Sequence, residues 1–311
     1  MKVSVCMITY NHEEFIEQAI KGVLDQKTDF DFDLVIGEDY STDKTRQIIL
    51  DYKAKYPEKI KLLLHDSNIG MMPNFQATLH ACQGEYIAIC EGDDYWTDPH
   101  KLQKQVELLK LNSKASICFH PVNLVDAGGS FISESKIFEL KDEYTTLDLL
   151  NQEWFVMTCS IMFRKNYLTI PSWFVSIKNG DYALQLICSL KGDLIYLNHV
   201  MGAYRVHSSG VSQSLQLEKN FYALLILFKF FNKYSDYKFK NVIENRKSRM
   251  RTWLINYYVY ETLKHKYLSV GYLKNYRKLF SMTKILNFNH LKSILHLSIP
   301  PKIYKLYKSN N

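Results

Sequence analysis

The chain opens on a continuous apolar, β-favouring run, Val3 to Ile8, the pattern of a strand covered on both faces. Asn11 follows as the expected N-cap, with Glu14 three residues on, and Phe15, Ile16, Ala19, Ile20, Val23 and Leu24 then draw one helical stripe. The unit repeats. Leu34 to Gly37 reads as a strand, Ser41 as the cap of a second helix and Pro57 as its stop. Ile60 to Leu64 reads as a third strand, Pro73 as the start of a third helix, and Glu85 to Cys90 as a fourth strand. Asp98-Pro99 then gives the cap and first position of a helix whose buried stripe is Leu102, Val106 and Leu109.

Parallel neighbours need a crossover, so this alternation predicts an α/β fold with helices on both faces of a mostly parallel sheet. Ligands of such sheets sit at the carboxyl ends of strands. Tyr10, Asn11, Asp39, Asp93 and Asp94 each fall just past a strand and are expected to line one crevice. After Gly128-Gly129 the pattern loosens into an apolar run (Phe155 to Phe163), a short helix (Tyr182 to Leu190) and two short strands (Leu194 to Leu197, Met201 to Val206). From about Leu215 the chain reads as helical, with 19 Phe, Tyr or Trp between Phe221 and Tyr307.

Charge separates the same two regions. Residues 1–218 hold 20 Lys+Arg against 29 Asp+Glu, a net of −9, and residues 219–311 hold 19 against 3, a net of +16, within an overall +7. Basic residues interleaved with aromatics suit an interfacial helix on an anionic membrane, a helical cap with a solvated face, or nucleic acid, the last being least favoured. The six cysteines stand singly in apolar runs, without metal spacing, and are expected to be reduced core side chains of a cytoplasmic protein. The start lacks the pattern of a secretory signal, and no apolar run approaches the ~18 residues of a membrane span.

Candidate chemistry concentrates in two acidic stations, Glu38-Asp39 and Glu91-Gly92-Asp93-Asp94, each just after an apolar run. Carboxylates delivered to one sheet edge can hold a divalent cation, since Mg²⁺ and Mn²⁺ favour oxygen ligands and keep positions open for phosphate. An isolated acidic triplet is more often a solvated turn. No G-x-G-x-x-G occurs, which disfavours a dinucleotide oxidoreductase, and the P-loop signature is absent. A sugar nucleotidyltransferase needs a Gly-rich phosphate loop and a basic residue near the first strand, and Thr9-Tyr10-Asn11-His12 supplies neither.

The ordered set Ser4-Val5-Cys6-Met7-Ile8-Thr9-Tyr10-Asn11, Glu38-Asp39-Tyr40-Ser41-Thr42-Asp43-Lys44-Thr45, Asn68-Ile69-Gly70 and Gly84-Glu85-Tyr86 leading to Glu91-Gly92-Asp93-Asp94 resembles the family 2 glycosyltransferases of GT-A fold, over about Val3 to Ser214. The resemblance implies a catalytic domain over 1–214 and leaves 215–311 as a helical, basic C-terminal region. It implies nucleotide-sugar contacts from Thr9, Tyr10, Asn11, Asp39, Asn68, Asn74 and Asp93, with Asp39 accepting from the uracil ring. It implies a Mn²⁺ or Mg²⁺ site among Glu91, Asp93, Asp94 and His207, with Glu91 standing where the family usually has Asp. In Asn179-Gly180-Asp181-Tyr182, Asp181 matches the general base of an inverting displacement; its other reading is a helix N-cap. Tyr204-Arg205-Val206-His207, with Ser208, Ser209 and Ser212, resembles the family's closing segment, in which an Arg-x-His suits a diphosphate. Trp96, Trp154 and Trp173 are candidates to stack on acceptor sugar, although aromatic residues in a chain this rich in them are usually core. The implied partners are a UDP-sugar donor and a glycan or lipid-linked oligosaccharide acceptor of bacterial surface polysaccharide synthesis, with the protein cytoplasmic or peripheral on the inner membrane face. The rival is a non-catalytic protein that keeps the fold while its tail engages membrane or nucleic acid.

Overall fold

A computed structural model describes residues 2–137, 139–208, 210, 217–263 and 273. The strands in chain order are β1 (Val3–Thr9), β2 (Phe32–Glu38), β3 (Ile60–Leu64), β4 (Tyr86–Ile89), β5 (Tyr95–Trp96), β6 (Ile117–Phe119), β7 (Asn123–Asp126), β8 (Phe131–Glu134), β9 (Glu143–Tyr144), β10 (Met162–Arg164), β11 (Leu194–Tyr196) and β12 (Gly202–Val206). The helices are α1 (Ile16–Leu24), α2 (Thr45–Lys55), α3 (Met71–Ala81), α4 (Lys101–Leu111), α5 (Thr146–Asn151), α6 (Gly180–Ser189), α7 (Leu217–Tyr234) and α8 (Lys240–Leu263).

An eight-stranded sheet runs β3-β2-β1-β4-β10-β6-β11-β9. Its first four strands are all parallel, as the βα alternation requires, and β1 and β2 are buried along their whole length. Ile16, Ala19, Ile20 and Val23 of α1 and Leu102, Val106 and Leu109 of α4 are fully buried in the core beside Val5, Met7, Leu34 and Ile36. The parallel run ends where β10 inserts antiparallel between β4 and β6. A second sheet, β5-β12-β7-β8, brings the end of β12 beside the segment after β4.

Two expected caps are absent. Asn11 lies outside α1, in the left-handed region at φ 56°, and its side chain accepts from the Thr42 amide at 2.8 Å. Ser41 lies outside α2 and accepts from the Asn11 amide at 3.0 Å. Both polar side chains tie the loop after β1 to the loop after β2, so each helix starts about a turn later than its capping signal. Pro73 stands inside the first turn of α3, and Asp98 accepts from the His100 amide at 2.8 Å just ahead of α4.

The chain forms two compact units. The first contains both sheets and takes in Ala223–Phe239; the second takes in, among the described residues, Leu217–Tyr222 and Lys240–Leu263. Within the first, Trp173 stacks on Phe230 with centroids 5.5 Å apart and planes 6° apart, and Tyr182 meets Phe228 edge-on. All six cysteines are free and buried. Among the described residues, no helix is long and apolar enough to cross a membrane.

Candidate active site

Parallel pairing alone brings the two acidic stations to one edge. On one side of β1 the Asp39 amide donates to the Thr9 carbonyl at 3.1 Å, and on the other the Gly92 amide donates to the Ile8 carbonyl at 3.0 Å. Neighbouring strands lie ~4.8 Å apart, so strands on either side of β1 place the stations about 10 Å from one another.

At the β4 side, ligand-capable oxygens of Glu91, Asp93 and Asp94 all lie within 4.8 Å of one another. Burial and the charges of Asp93, Asp94 and Asp181 push the Glu91 carboxyl well above its ordinary range. Burial and Asp93 do the same to Asp94, against the opposing hydrogen bond from the Arg205 amide. Burial works on Asp93 in the same direction, but the hydrogen bond of His207 and the charges of His12 and His207 outweigh it and hold Asp93 below its ordinary value. Such a cluster is costly without a cation. One Asp94 oxygen, Oδ1, accepts from the Arg205 amide at 2.8 Å, while the other, Oδ2, is buried and has no hydrogen-bond partner among the described residues. An oxygen-rich donor set with an unused buried oxygen fits a hard divalent cation.

His207 adds a nitrogen at 3.1 Å from Asp93 Oδ2, and His12 Nε2 lies 3.8 Å from the same atom. His12 is held by a 3.1 Å contact between its Nδ1 and the Thr9 hydroxyl. Gly92 makes this possible, because a Cβ there would lie 2.6 Å from Thr9 Oγ1 and 2.9 Å from His12 Nδ1. Thr9 is buried, Tyr10 is exposed, and the Asn11 side chain is engaged with Thr42.

Asp39 is buried, with Oδ1 accepting from the Ile69 amide at 2.8 Å and Oδ2 from the Gly70 amide at 2.9 Å. Gly70 takes φ 90°, a conformation suited to glycine, at the entry to α3. A carboxylate has about four acceptor positions, so two remain for a ligand. Asn68 Nδ2 donates to the Asp39 carbonyl at 3.1 Å, which braces the same loop. Asn74 is not brought to the site: it is buried, its Nδ2 donates to the Gly37 carbonyl at 2.9 Å, and its Oδ1 meets His65 Nε2 at 3.1 Å.

Asp181 lies in the first turn of α6, where its Oδ2 accepts from the Thr158 hydroxyl at 3.0 Å. Burial raises its proton affinity, opposed by hydrogen bonds from its own amide, the Tyr182 amide, Thr158 and Trp154. Its charge is the smallest of the contributions that raise the Glu91 carboxyl. Trp154, half-exposed and edge-on to Tyr204, is the tryptophan that reaches this site; Trp96 is buried with Nε1 donating to the Cys159 carbonyl at 2.9 Å, and Trp173 is covered by Phe230.

Arg205 differs from its expected part. Its guanidinium is buried, donates to the carbonyls of Asp93 at 2.9 Å and Ala127 at 2.8 Å and to Gln18 Oε1 at 2.7 Å, and lies over the Phe15 and Tyr95 rings at 4.7 and 5.1 Å. Each of its three nitrogens donates within the protein, so it clasps the acidic loop to α1 and to the β7–β8 turn. Ser208 is exposed, and Ser209 and Ser212 lie outside the described residues. Sequence reasoning missed His12, Thr158 and the clasp. Only the alternation along β12, which sets Arg205 and His207 on one side of the strand, carried a signal for the last.

The sequence model of Glycosyl transferase family 2 matches residues 4–169. Uncharacterized proteins of Mycobacterium tuberculosis and Mycobacterium bovis are 36% identical over 219 residues, which is 70% of this chain and 62% of theirs. The chain thus spans somewhat under two thirds of the length of these relatives. A putative teichuronic acid biosynthesis glycosyltransferase of Bacillus subtilis, TuaG, is 27% identical over 214 residues, covering 68% of this chain and 82% of that one. Among solved structures, S. aureus TarS 1–349 in complex with UDP-GlcNAc superimposes with a TM-score of 0.57 at 16% identity, covering 92% of each chain. The mannosyltransferase PcManGT from Pyrobaculum calidifontis, in complex with GDP-Man and Mn²⁺, gives 0.59 at 15% identity, covering 99% of this chain and 83% of that one.

Proposed function

The chain belongs to glycosyl transferase family 2 and has the GT-A fold, and from that premise we propose that it transfers a sugar, with inversion, from a UDP-sugar to a glycan or lipid-linked acceptor in surface polysaccharide assembly. The observation that carries this reading is the convergence of Glu91, Asp93 and Asp94 within 4.8 Å at the end of β4.

Asp93, Asp94 and Glu91, with His207, would hold Mn²⁺ or Mg²⁺. When bound, that ion supplies the positive charge that stabilises a departing diphosphate. Asp39 accepts from the base, and Thr9 and Tyr10 line the end of β1 against the nucleotide. Asp181 accepts the proton of the acceptor hydroxyl as that oxygen attacks the anomeric carbon from the side opposite the diphosphate. Burial that raises its proton affinity makes Asp181 a stronger base, and the Thr158 hydroxyl fixes which oxygen faces the substrate. Trp154 offers an apolar face beside it for an acceptor sugar.

The functional division into a catalytic domain over 1–214 and a docking region over 215–311 is supported by charge, with Ala223–Phe239 joining the catalytic unit. In the second unit α8 exposes Trp253 and, one turn earlier, Arg249, a pairing that suits an anionic membrane surface. Pelleting the full chain with phosphatidylglycerol vesicles against phosphatidylcholine vesicles tests that part; binding to neither refutes it. For the catalytic reading, thermal-shift screening of UDP-, GDP- and dTDP-sugars with Mn²⁺ is the test, because a ligand of the native state raises apparent stability. A Mn²⁺-dependent rise with UDP-sugars is expected, and no rise with any of the three classes refutes it.

A further inference from the structure

Tyr40 follows Asp39 directly and takes φ +61°, in the left-handed region that bulky side chains rarely occupy. Glycine would hold this conformation without strain. The backbone is kept there by bonds on either side: the Ser41 amide donates to Glu38 Oε1 at 2.6 Å, and Asp39 is anchored by the Ile69 and Gly70 amides. A strained bulky residue persists where its surroundings over-determine it, and the side chain gives the reason to look for a role.

Tyr40 is 46% exposed. The Arg46 guanidinium lies 5.3 Å from its centroid and is itself fixed, with Nε donating to Glu38 Oε2 and an Nη donating to the His65 carbonyl at 2.6 Å. The ring therefore has a rigid cationic backing. Across the neighbouring strand end, Tyr10 is 42% exposed, and the Asn11–Ser41 and Asn11–Thr42 bonds lock its loop to that of Tyr40. Two residues with exposed aromatic side chains, Tyr10 and Tyr40, thus stand on two cross-linked loops at the strand ends that carry Asp39.

Resting on the proposed nucleotide-sugar reading, we propose that Tyr40 is a binding residue that stacks on the nucleobase of the nucleoside diphosphate whose ring edge Asp39 accepts from. Base–aromatic stacking tolerates different bases, so Tyr40 supplies affinity for the base as a flat ring while Asp39 supplies its identity.

Calorimetric titration of the full chain with UDP and, separately, with pyrophosphate, both in Mn²⁺, tests this on Tyr40→Gly and Tyr40→Phe. Tyr40→Gly relieves the backbone and is expected to melt at or above the wild-type temperature. It is expected to weaken UDP about ten- to a hundredfold while leaving pyrophosphate, which has no base, unchanged; Tyr40→Phe keeps wild-type UDP affinity. Equal UDP affinity in Tyr40→Gly and wild type overturns the stacking role alone, as does an equal loss for both ligands. Wild-type protein that binds neither UDP nor pyrophosphate overturns the nucleotide-sugar reading together with it.

Discussion

His207 Nε2 meets Asp93 Oδ2 at 3.1 Å across a separation of 114 residues, joining the end of β12 to the acidic loop after β4. The contact fixes the Asp93 carboxylate whether the imidazole itself ligates a cation or holds the carboxylate for it. Replacing such a partner typically costs 10–100-fold in metal affinity. His207→Ala is expected to weaken Mn²⁺ binding by about that factor, read by calorimetry, and Asp93→Asn to weaken it further.

Arg205 grips the backbone of the residue whose side chain His207 holds. Arg205→Met would strand the carbonyls of Asp93 and Ala127 and the Gln18 amide, at a cost of about 2–4 kcal/mol. Chemical denaturation should show that loss. Arg205→Lys keeps the charge but lacks the planar fork, so it should recover only part.

Gly92 has no room for a methyl group, since its Cβ would sit 2.8 Å from the Thr9 Cβ. Overpacking of this kind costs about 1–3 kcal/mol. Gly92→Ala should therefore lower stability by that amount and weaken Mn²⁺ binding, because the loop that must shift carries Glu91 and Asp93.

Lys101 is fully buried, its amine 2.6 Å from Gln105 Oε1 and 4.0 Å from the Trp96 ring centre. Burial lowers its pKa from the ordinary 10.5 to about 8. Between those values the unfolded chain keeps a proton that the folded chain releases, so stability rises with pH across about 8 to 10.5. Below pH 8 the buried charge costs roughly 3 kcal/mol. The difference in unfolding free energy between wild type and Lys101→Met should shift in favour of wild type across this window.

The parallel half of the sheet was legible because β1 to β4 and their helices are local patterns: apolar runs, stripes and proline stops. The convergence of Asp39 and Asp93 followed from topology, since parallel strands with crossovers send every loop after a strand to one edge. What was not legible depends on distant partners. Asn11 and Ser41 look like caps locally, yet each bonds across to the other loop. The three residues of β10 gain their place between β4 and β6 only from pairing on both sides. Arg205 suggested phosphate binding by its residue type, and only the positions of Asp93, Ala127 and Gln18 reveal that each of its nitrogens donates within the protein.

The most direct measurement is release of UDP from a UDP-sugar in Mn²⁺, comparing wild type with Asp181→Asn. The account predicts metal-dependent turnover by wild type and a loss of about 100 to 10,000-fold in the variant with UDP affinity retained; wild-type turnover by Asp181→Asn would contradict it.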